Sequence, residues 1–146
     1  MQNYPDDQKL GVLVDAAQDA KKQALAIYSQ FNVGAALETA DGRIYSGFNI
    51  ESSSYGLTVC AERVALFKAL SEGERAFRRI AVATDTDAFC SPCGACRQVM
   101  WDYAPDLDVY LVNRAGKMEK HQLRDLIPHA FDNRMLKVPG KDEGKK

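Results

Sequence analysis

The chain has 146 residues, of which 46% are hydrophobic and 27% are charged, and its formal net charge is −1 at pH 7. A chain of this length fits one domain and can bury roughly two-thirds of its unfolded surface. Charges of both signs are interspersed, unlike the basic surface of a nucleic-acid-binding protein. No apolar run reaches membrane length and residues 1–10 are polar, so we predict neither a membrane span nor a signal peptide.

The first predicted elements are a helix and a β-hairpin. A proline and two aspartates open the helix, and apolar residues then recur at helical spacing as far as Tyr28. Residues 33–38 and 44–50 flank Asp41-Gly42, a pair that favours a tight turn between two antiparallel strands. We expect the apolar face of the helix to pack on the sheet that these strands begin.

Helices and strands alternate along the rest of the chain. This order indicates an α/β fold in which a mixed central sheet carries helices on both faces, with helix N-termini at the sheet edge where ligands bind. Residues 1–136 are predicted to form a single domain, and residues 137–146, rich in lysine, a charged mobile tail. The remaining predicted elements are helices over residues 61–72, 93–103 and 121–127 and strands over residues 80–84 and 107–113.

Three cysteines stand at predicted helix starts. Pro92 suits the first turn of a helix, so a helix begins near Cys93, and Cys96 lies one turn further on the same face. This pair is spaced for one tetrahedral zinc, whose sulfur ligands lie about 2.3 Å from the metal. Cys60 precedes an apolar helical pattern, and a helix N-terminus favours a thiolate through its N–H groups and dipole. Cys60 is therefore the predicted third ligand.

The fourth coordination position decides whether such a site is structural or catalytic. A structural zinc has four protein ligands, whereas a catalytic zinc has three and a water molecule whose pKa is lowered toward neutrality. Glu62 follows Cys60 by two residues, close enough to exchange a proton with that water. We predict that Arg63, beside the site, hydrogen-bonds the sulfurs and offsets the excess negative charge of three thiolates.

A fourth cysteine, Cys90, leaves two alternatives open. Together with Cys93 and Cys96 it spells C-x-x-C-x-x-C, the start of a bacterial iron–sulfur motif, and Cys60 could complete either a four-cysteine cluster or a structural zinc site. The iron–sulfur motif would continue to a fourth cysteine followed by proline, which the sequence after residue 96 does not contain. Cys90 precedes Pro92, outside the helical turn, so we expect its side chain to point elsewhere. We favour a catalytic metal site over buried cysteines that act as small hydrophobic residues.

These motifs resemble the cytidine deaminase family, in which a glutamate follows the first metal ligand by two residues and P-C-x-x-C supplies two more ligands. Because the first ligand is cysteine, the chain is most similar to the short homotetrameric nucleoside deaminases. The resemblance implies a three-layer α/β fold and one zinc per chain. One departure is His129, where that branch usually has glycine. The matching stretches are residues 31–36, 49–51, 60–63, 91–98 and 126–131.

The resemblance also implies how a nucleoside is held. Asn49 and Glu51 alternate at a strand end, so both can point the same way toward sugar hydroxyls, although the pattern alone also fits a solvated loop. In the family this pair holds the ribose. Phe31, otherwise an ordinary core aromatic, becomes the ring beside the pyrimidine. The further implied contacts are the Ala61 N–H to the pyrimidine O2, the Ser91 carbonyl to the amino group, and Phe131 from a neighbouring subunit against the base.

The predicted function is hydrolytic deamination of cytidine and 2′-deoxycytidine in pyrimidine salvage. Glu62 takes a proton from water, delivers it to ring N3 and later protonates the departing amine. The predicted partners are a nucleoside, water and three further copies of the chain, without nucleic acid or membrane, and free metal-binding cysteines fit a cytoplasmic location. The alternatives are a blasticidin-S-type deaminase, which looks unlike this chain at Asn49-Ile50-Glu51, and a non-enzymatic structural zinc or iron–sulfur module.

Overall fold

A computed structural model describes residues 8–136 of the protein, so the predicted tail at residues 137–146 lies outside the described residues. The strands are β1 (Val33–Thr39), β2 (Ile44–Phe48), β3 (Phe77–Thr84), β4 (Asp108–Val112) and β5 (Met118–Gln122). The helices are α1 (Gln8–Lys21), α2 (Ala61–Ser71), α3 (Gly94–Tyr103) and α4 (Leu123–Leu126). The strands form one five-stranded sheet in the order β2-β1-β3-β4-β5, in which only the neighbours β3 and β4 are parallel.

Helix α1 covers one face of the sheet at very short range. The sheet residues beneath it are small, and Gly34 of β1 is the extreme case, because a Cβ built there would lie 2.1 Å from the Ala17 carbonyl oxygen. Glycine at this position therefore sets how closely the helix can approach. The buried residues of this layer are Leu10, Leu13, Val14, Ala17, Ala36, Ala81, Ala83 and Val112.

Helices α2, α3 and α4 cover the opposite face, over the larger part of the core. Gly47 of β2 lies beneath the first turns of α2, where a Cβ would be 2.6 Å from the Ala65 nitrogen and 2.9 Å from the Ala61 carbonyl oxygen. This close approach fixes the start of α2 against the sheet. The predicted three-layer α/β arrangement is thus confirmed. The largest fully buried side chains on this face are Leu37, Leu66, Ile80, Met100, Leu107, Leu111 and Leu123.

The strand register brings the start of β1 and the ends of β2 and β3 together at one end of the sheet. Val33 at the start of β1 pairs with Thr84 at the end of β3, and the next residue, Gly34, pairs with Phe48 at the end of β2. Because β1 runs antiparallel to both neighbours, the segment before it meets the segments that follow them. Residues before β1, after β2 and after β3 are therefore neighbours in space.

Two predicted helices differ from the structure. Helix α1 ends at Lys21 rather than near Tyr28, because the chain beyond it pairs in extended form with the segment after β2: the Leu25 N–H donates to the Asn49 carbonyl at 3.0 Å. The predicted helix over 121–127 shrinks to the single turn of α4. The residues before that turn form the polar edge strand β5, in which His121 pairs with Val109 of β4.

One predicted strand is longer than expected. Strand β3 begins at Phe77 rather than Ile80, and its early residues include a charged side chain that is almost fully buried. Arg79 is only 3% exposed, and its Nε donates to the Glu38 carboxylate of β1 at 2.6 Å, which compensates its buried charge. Within residues 8–136, no helix is long and apolar enough to span a membrane.

Candidate active site

The three predicted metal ligands come together at the starts of α2 and α3. Cys60 and Cys93 are the residues immediately before these helices and have extended backbone, while Cys96 lies in the first turn of α3 and is fully buried. The Cys60 and Cys93 sulfurs are 3.7 Å apart, and all three sulfurs lie within 4.8 Å of one another. The two helix N-termini thus deliver three sulfurs to one point.

This geometry fits zinc. Sulfur ligands about 2.3 Å from a tetrahedral zinc stand about 3.8 Å from each other, and the Cys60–Cys93 separation already has that value within a tenth of an ångström. Cys90 is not part of the three-sulfur group. The described residues therefore offer three sulfur ligands, which leaves one position of a tetrahedral zinc for water or substrate.

Hydrogen bonds favour a thiolate at Cys60. Hydrogen bonds donated by Cys96, then by Arg63 and Cys93, lower the pKa of Cys60 to about 5. The pKa of Cys96 is raised, because Cys96 donates to Cys60 and because it is buried. The Arg63 guanidinium lies 3.6 Å from the Cys60 sulfur and 3.4 Å from the Thr58 carbonyl oxygen. Arg63 therefore lies beside the sulfurs, where its predicted role of offsetting their negative charge requires it.

Glu62 is a buried carboxyl group beside this charge. It lies in the first turn of α2 and is only 4% exposed. Burial, followed by the negative charge of Cys60, raises the pKa of Glu62 to about 7. A carboxyl group held near neutrality can both release and accept a proton under ordinary conditions.

A cavity of about 270 Å³ opens beside the sulfurs, at the end of the sheet where the start of β1 meets the ends of β2 and β3. Most of the predicted substrate residues line it, so one space joins the metal centre and the candidate nucleoside contacts. The predicted residues in its wall are Phe31, Asn49, Glu51, Cys60, Ala61, Glu62, Ser91 and Cys93.

Five further residues line the cavity, namely Val33, Thr58, Val82, Thr84 and Cys90. Thr84 ends the central strand β3, a position where a polar residue signals the ligand edge of an α/β sheet. As expected, Cys90 lies outside the three-sulfur group, but it does line the adjoining cavity. Burial, and then the charge of Glu62, raises the pKa of Cys90, so its thiol stays protonated in the cavity wall.

Asn49 and Glu51 are held firmly by neighbouring backbone. The Asn49 oxygen accepts from the Val33 N–H at 2.9 Å and its nitrogen donates to the Phe31 carbonyl at 2.7 Å, which leaves one amide hydrogen for a ligand. The Glu51 carboxylate accepts from the Tyr28 N–H at 2.9 Å, and from the N–H and hydroxyl of Ser29. These bonds, led by the Ser29 hydroxyl, lower the pKa of Glu51 and keep it ionised.

Phe131, which is predicted to reach a neighbouring subunit's cavity, does not line the cavity of its own chain. Its side chain is 55% exposed, and its carbonyl accepts a hydrogen bond from the Gln98 amide at 2.8 Å. Two residues earlier, His129 has a φ of 54°, a left-handed conformation that glycine adopts more easily.

Known proteins similar to this chain point the same way. Residues 7–112 match the family described as the cytidine and deoxycytidylate deaminase zinc-binding region. A cytidine deaminase from Sporosarcina psychrophila is 47% identical over 125 residues, which covers 85% of this chain and 92% of that protein. The crystal structure of a cytidine deaminase from Burkholderia pseudomallei superposes with a TM-score of 0.81 at 48% identity, covering 83% of this chain and 98% of that one. A blasticidin-S deaminase from Bacillus cereus is 38% identical, over 68% of this chain and 76% of that protein.

The fold, the three-sulfur site and these similarities define a class. The chain belongs to the cytidine and deoxycytidylate deaminase family. It is a zinc-dependent deaminase, and the cluster of Cys60, Cys93 and Cys96 fits its zinc site.

Proposed function

We propose that the protein hydrolyses cytidine and 2′-deoxycytidine to the corresponding uridines, with release of ammonia. The observation that carries this proposal is the single cavity that joins a three-sulfur zinc site, a buried carboxyl group and the polar pair Asn49 and Glu51. Relatives named cytidine deaminase match most of the chain and support it. The reaction returns a pyrimidine nucleoside in reusable form, which fits a place in pyrimidine salvage.

The chemistry needs a nucleophile and a proton carrier. Zinc, when bound, supplies a water molecule with a pKa near neutrality. Glu62 accepts one proton from the attacking water and delivers it to ring N3. It then accepts the second proton of that water from the new C4 hydroxyl and passes it to the amine, so that the C4–N bond breaks, ammonia leaves and a carbonyl remains at C4. The Ala61 N–H at the start of α2 can donate to the pyrimidine O2, and the Ser91 carbonyl can accept from the amino group, so the ring is oriented by backbone.

Recognition of the sugar follows from Asn49 and Glu51 in the segment after β2. The remaining Asn49 amide hydrogen and the Glu51 carboxylate can bind ribose hydroxyls, while Phe31 in the same wall packs against the base. An ionised carboxylate that already accepts three hydrogen bonds repels a phosphate. The favoured substrate is thus a nucleoside rather than a nucleotide.

The finer proposal about assembly is a homotetramer in which Phe131 completes a neighbouring cavity. A groove of about 500 Å³ runs along the outer side of α2, lined by the exposed apolar side chains of Ile50, Leu57 and Phe67. An exposed apolar groove of this kind is typical of a subunit interface. Glu51 lines both this groove and the cavity, so a subunit placed in the groove would reach the nucleoside site. The free thiols support a reducing, cytoplasmic location.

The alternatives have less support. The blasticidin-S deaminase match has lower identity and coverage than the cytidine deaminase matches. A structural zinc or an iron–sulfur cluster needs four protein ligands, and Cys90 lies outside the group of three sulfurs.

An ultraviolet deamination assay tests the function. Purified protein is given cytidine, 2′-deoxycytidine, CMP, cytosine, adenosine and blasticidin S in parallel. We expect turnover of the first two, one zinc per chain and a colourless protein. Preferred turnover of blasticidin S, or visible absorption from iron, would overturn the proposal.

The assembly is tested by light scattering and by Phe131→Ala. Loss of an aromatic contact with a base costs about 1–3 kcal/mol, so KM should rise roughly tenfold to a hundredfold at unchanged zinc content. Tyr103→Ala removes an aromatic side chain of similar exposure (53%) at the end of α3 and should leave KM unchanged. A monomer with full activity would contradict the assembly.

A further inference from the structure

The backbone that carries Phe131 has no regular structure of its own. Helix α4 ends at Leu126 and the next element, a single 3-10 turn, begins at Asn133. Between them His129 adopts a left-handed conformation, which is unfavourable for a non-glycine residue and persists only when its surroundings impose it. Side chains must therefore fix where this segment lies.

Those side chains come from α3. The Gln98 amide nitrogen donates to the Phe131 carbonyl at 2.8 Å and to the Asp102 carboxylate at 3.1 Å, so both of its N–H groups are used and its orientation is set. One turn further, the Trp101 indole donates to the Asp132 carboxylate at 3.2 Å. Gln98 and Trp101 lie on the same face of α3 and hydrogen-bond two consecutive residues, Phe131 and Asp132.

Asp132 is anchored from its other side as well. The Arg134 guanidinium donates to both of its carboxylate oxygens, at 2.7–3.0 Å, and the Arg134 N–H donates at 2.9 Å. These bonds hold the pKa of Asp132 well below its usual range, so the acceptor stays ionised. The grip on Asp132 is thus charge-assisted and directional.

Arg97 connects the same segment to the metal loop. Its Nε donates to the Pro92 carbonyl at 2.7 Å, next to the ligand Cys93, and its Nη1 donates to the Leu126 carbonyl at 2.6 Å. The second bond satisfies the last carbonyl of α4, which has no partner within the helix. The planar Arg97 guanidinium therefore sets the distance between Pro92, which precedes the ligand Cys93, and Leu126, where the segment that carries Phe131 begins.

We propose that Gln98, with Arg97 and Trp101 beside it, is a positioning residue that holds Phe131 in the orientation used for substrate binding. This inference rests on the proposed role of Phe131 in a neighbouring cavity. Arg97 and Gln98, which directly follow Cys96 on α3, then serve two sites. They belong to the helix that carries a zinc ligand of their own subunit, and they orient Phe131 toward the cavity of another.

The test is a double-mutant cycle. Gln98→Met keeps the length of the side chain and removes both N–H donors. We expect KM for cytidine to rise threefold to tenfold, with kcat and zinc content unchanged, because only the placement of Phe131 is affected. In a Phe131→Ala background the same change should leave KM unaltered, since there is no ring left to position. Gln23→Met, at an exposed glutamine, is the matched control and should have no effect.

Hydrogen exchange supplies a readout that does not depend on activity. In Gln98→Met the amides of Arg134 and Met135, which donate to Asp132 at the end of this segment, should exchange at least tenfold faster, while those of α2 keep the wild-type rate. Unaltered exchange in this segment, an unaltered KM, or a KM effect that persists in full without the Phe131 ring would each overturn the proposal. A wild-type protein that does not deaminate cytidine would instead refute the proposed function, and the exchange measurement would still decide whether Gln98 holds the segment.

Discussion

Replacing Glu62 by glutamine separates proton transfer from every other role of this residue. Glutamine keeps the volume of the buried side chain and can still hydrogen-bond water, but it cannot carry a proton. Glu62 is 4% exposed, so bulk water has little access to replace it. Proton transfer by a positioned group is worth about a hundredfold to ten-thousandfold per step, and Glu62 serves more than one step in the proposed reaction. We expect kcat to fall at least about a thousandfold, or about 4 kcal/mol of barrier.

The measurement is the fall in absorbance as cytidine is deaminated, made alongside metal analysis. Zinc content should stay at one per chain, because the three sulfurs are untouched. Glu72→Gln, at an exposed position at the end of the same helix, is the control and should keep wild-type activity. Activity of Glu62→Gln within tenfold of the parent would refute the assigned role, and loss of zinc would show that the carboxyl group serves the metal site instead.

Three further outcomes follow from the geometry. Cys96→Ser should lose zinc and unfold at a markedly lower temperature. The reason is that zinc binding contributes on the order of 10 kcal/mol in small structural sites, and the Cys96 sulfur is fully buried. Metal analysis and thermal unfolding measure the two effects. Gly34→Ala should destabilise the protein by about 1–3 kcal/mol in urea unfolding, because its Cβ would overlap the Ala17 carbonyl; equal stability would show that α1 can move freely. CMP should have a kcat/KM at least about tenfold below that of cytidine, since the ionised Glu51 repels phosphate, and equal values would contradict that contact.

The sequence alone determined the parts of this protein that depend on local spacing. Cys93 and Cys96 are one helical turn apart, and Cys60 and Glu62 flank another helix start, so short stretches of chain contain the metal chemistry. The hairpin turn at Asp41-Gly42 was equally local, and Gly42 has the positive φ of 92° that such a turn uses. The α/β architecture followed from the alternation of elements.

The tertiary structure decided what depends on contacts between distant segments. Residues 22–28 continue the helical apolar pattern, yet they leave the helix to pair with the chain after β2. Strand β5 has little apolar alternation and forms because β4 offers it a partner edge. Cys90 enters the cavity wall and Phe131 stays outside it, although both are single residues with no periodic pattern around them. Spacing along the chain fixes neighbours within one element, whereas position across elements is set by packing and strand register, which no short stretch of sequence contains.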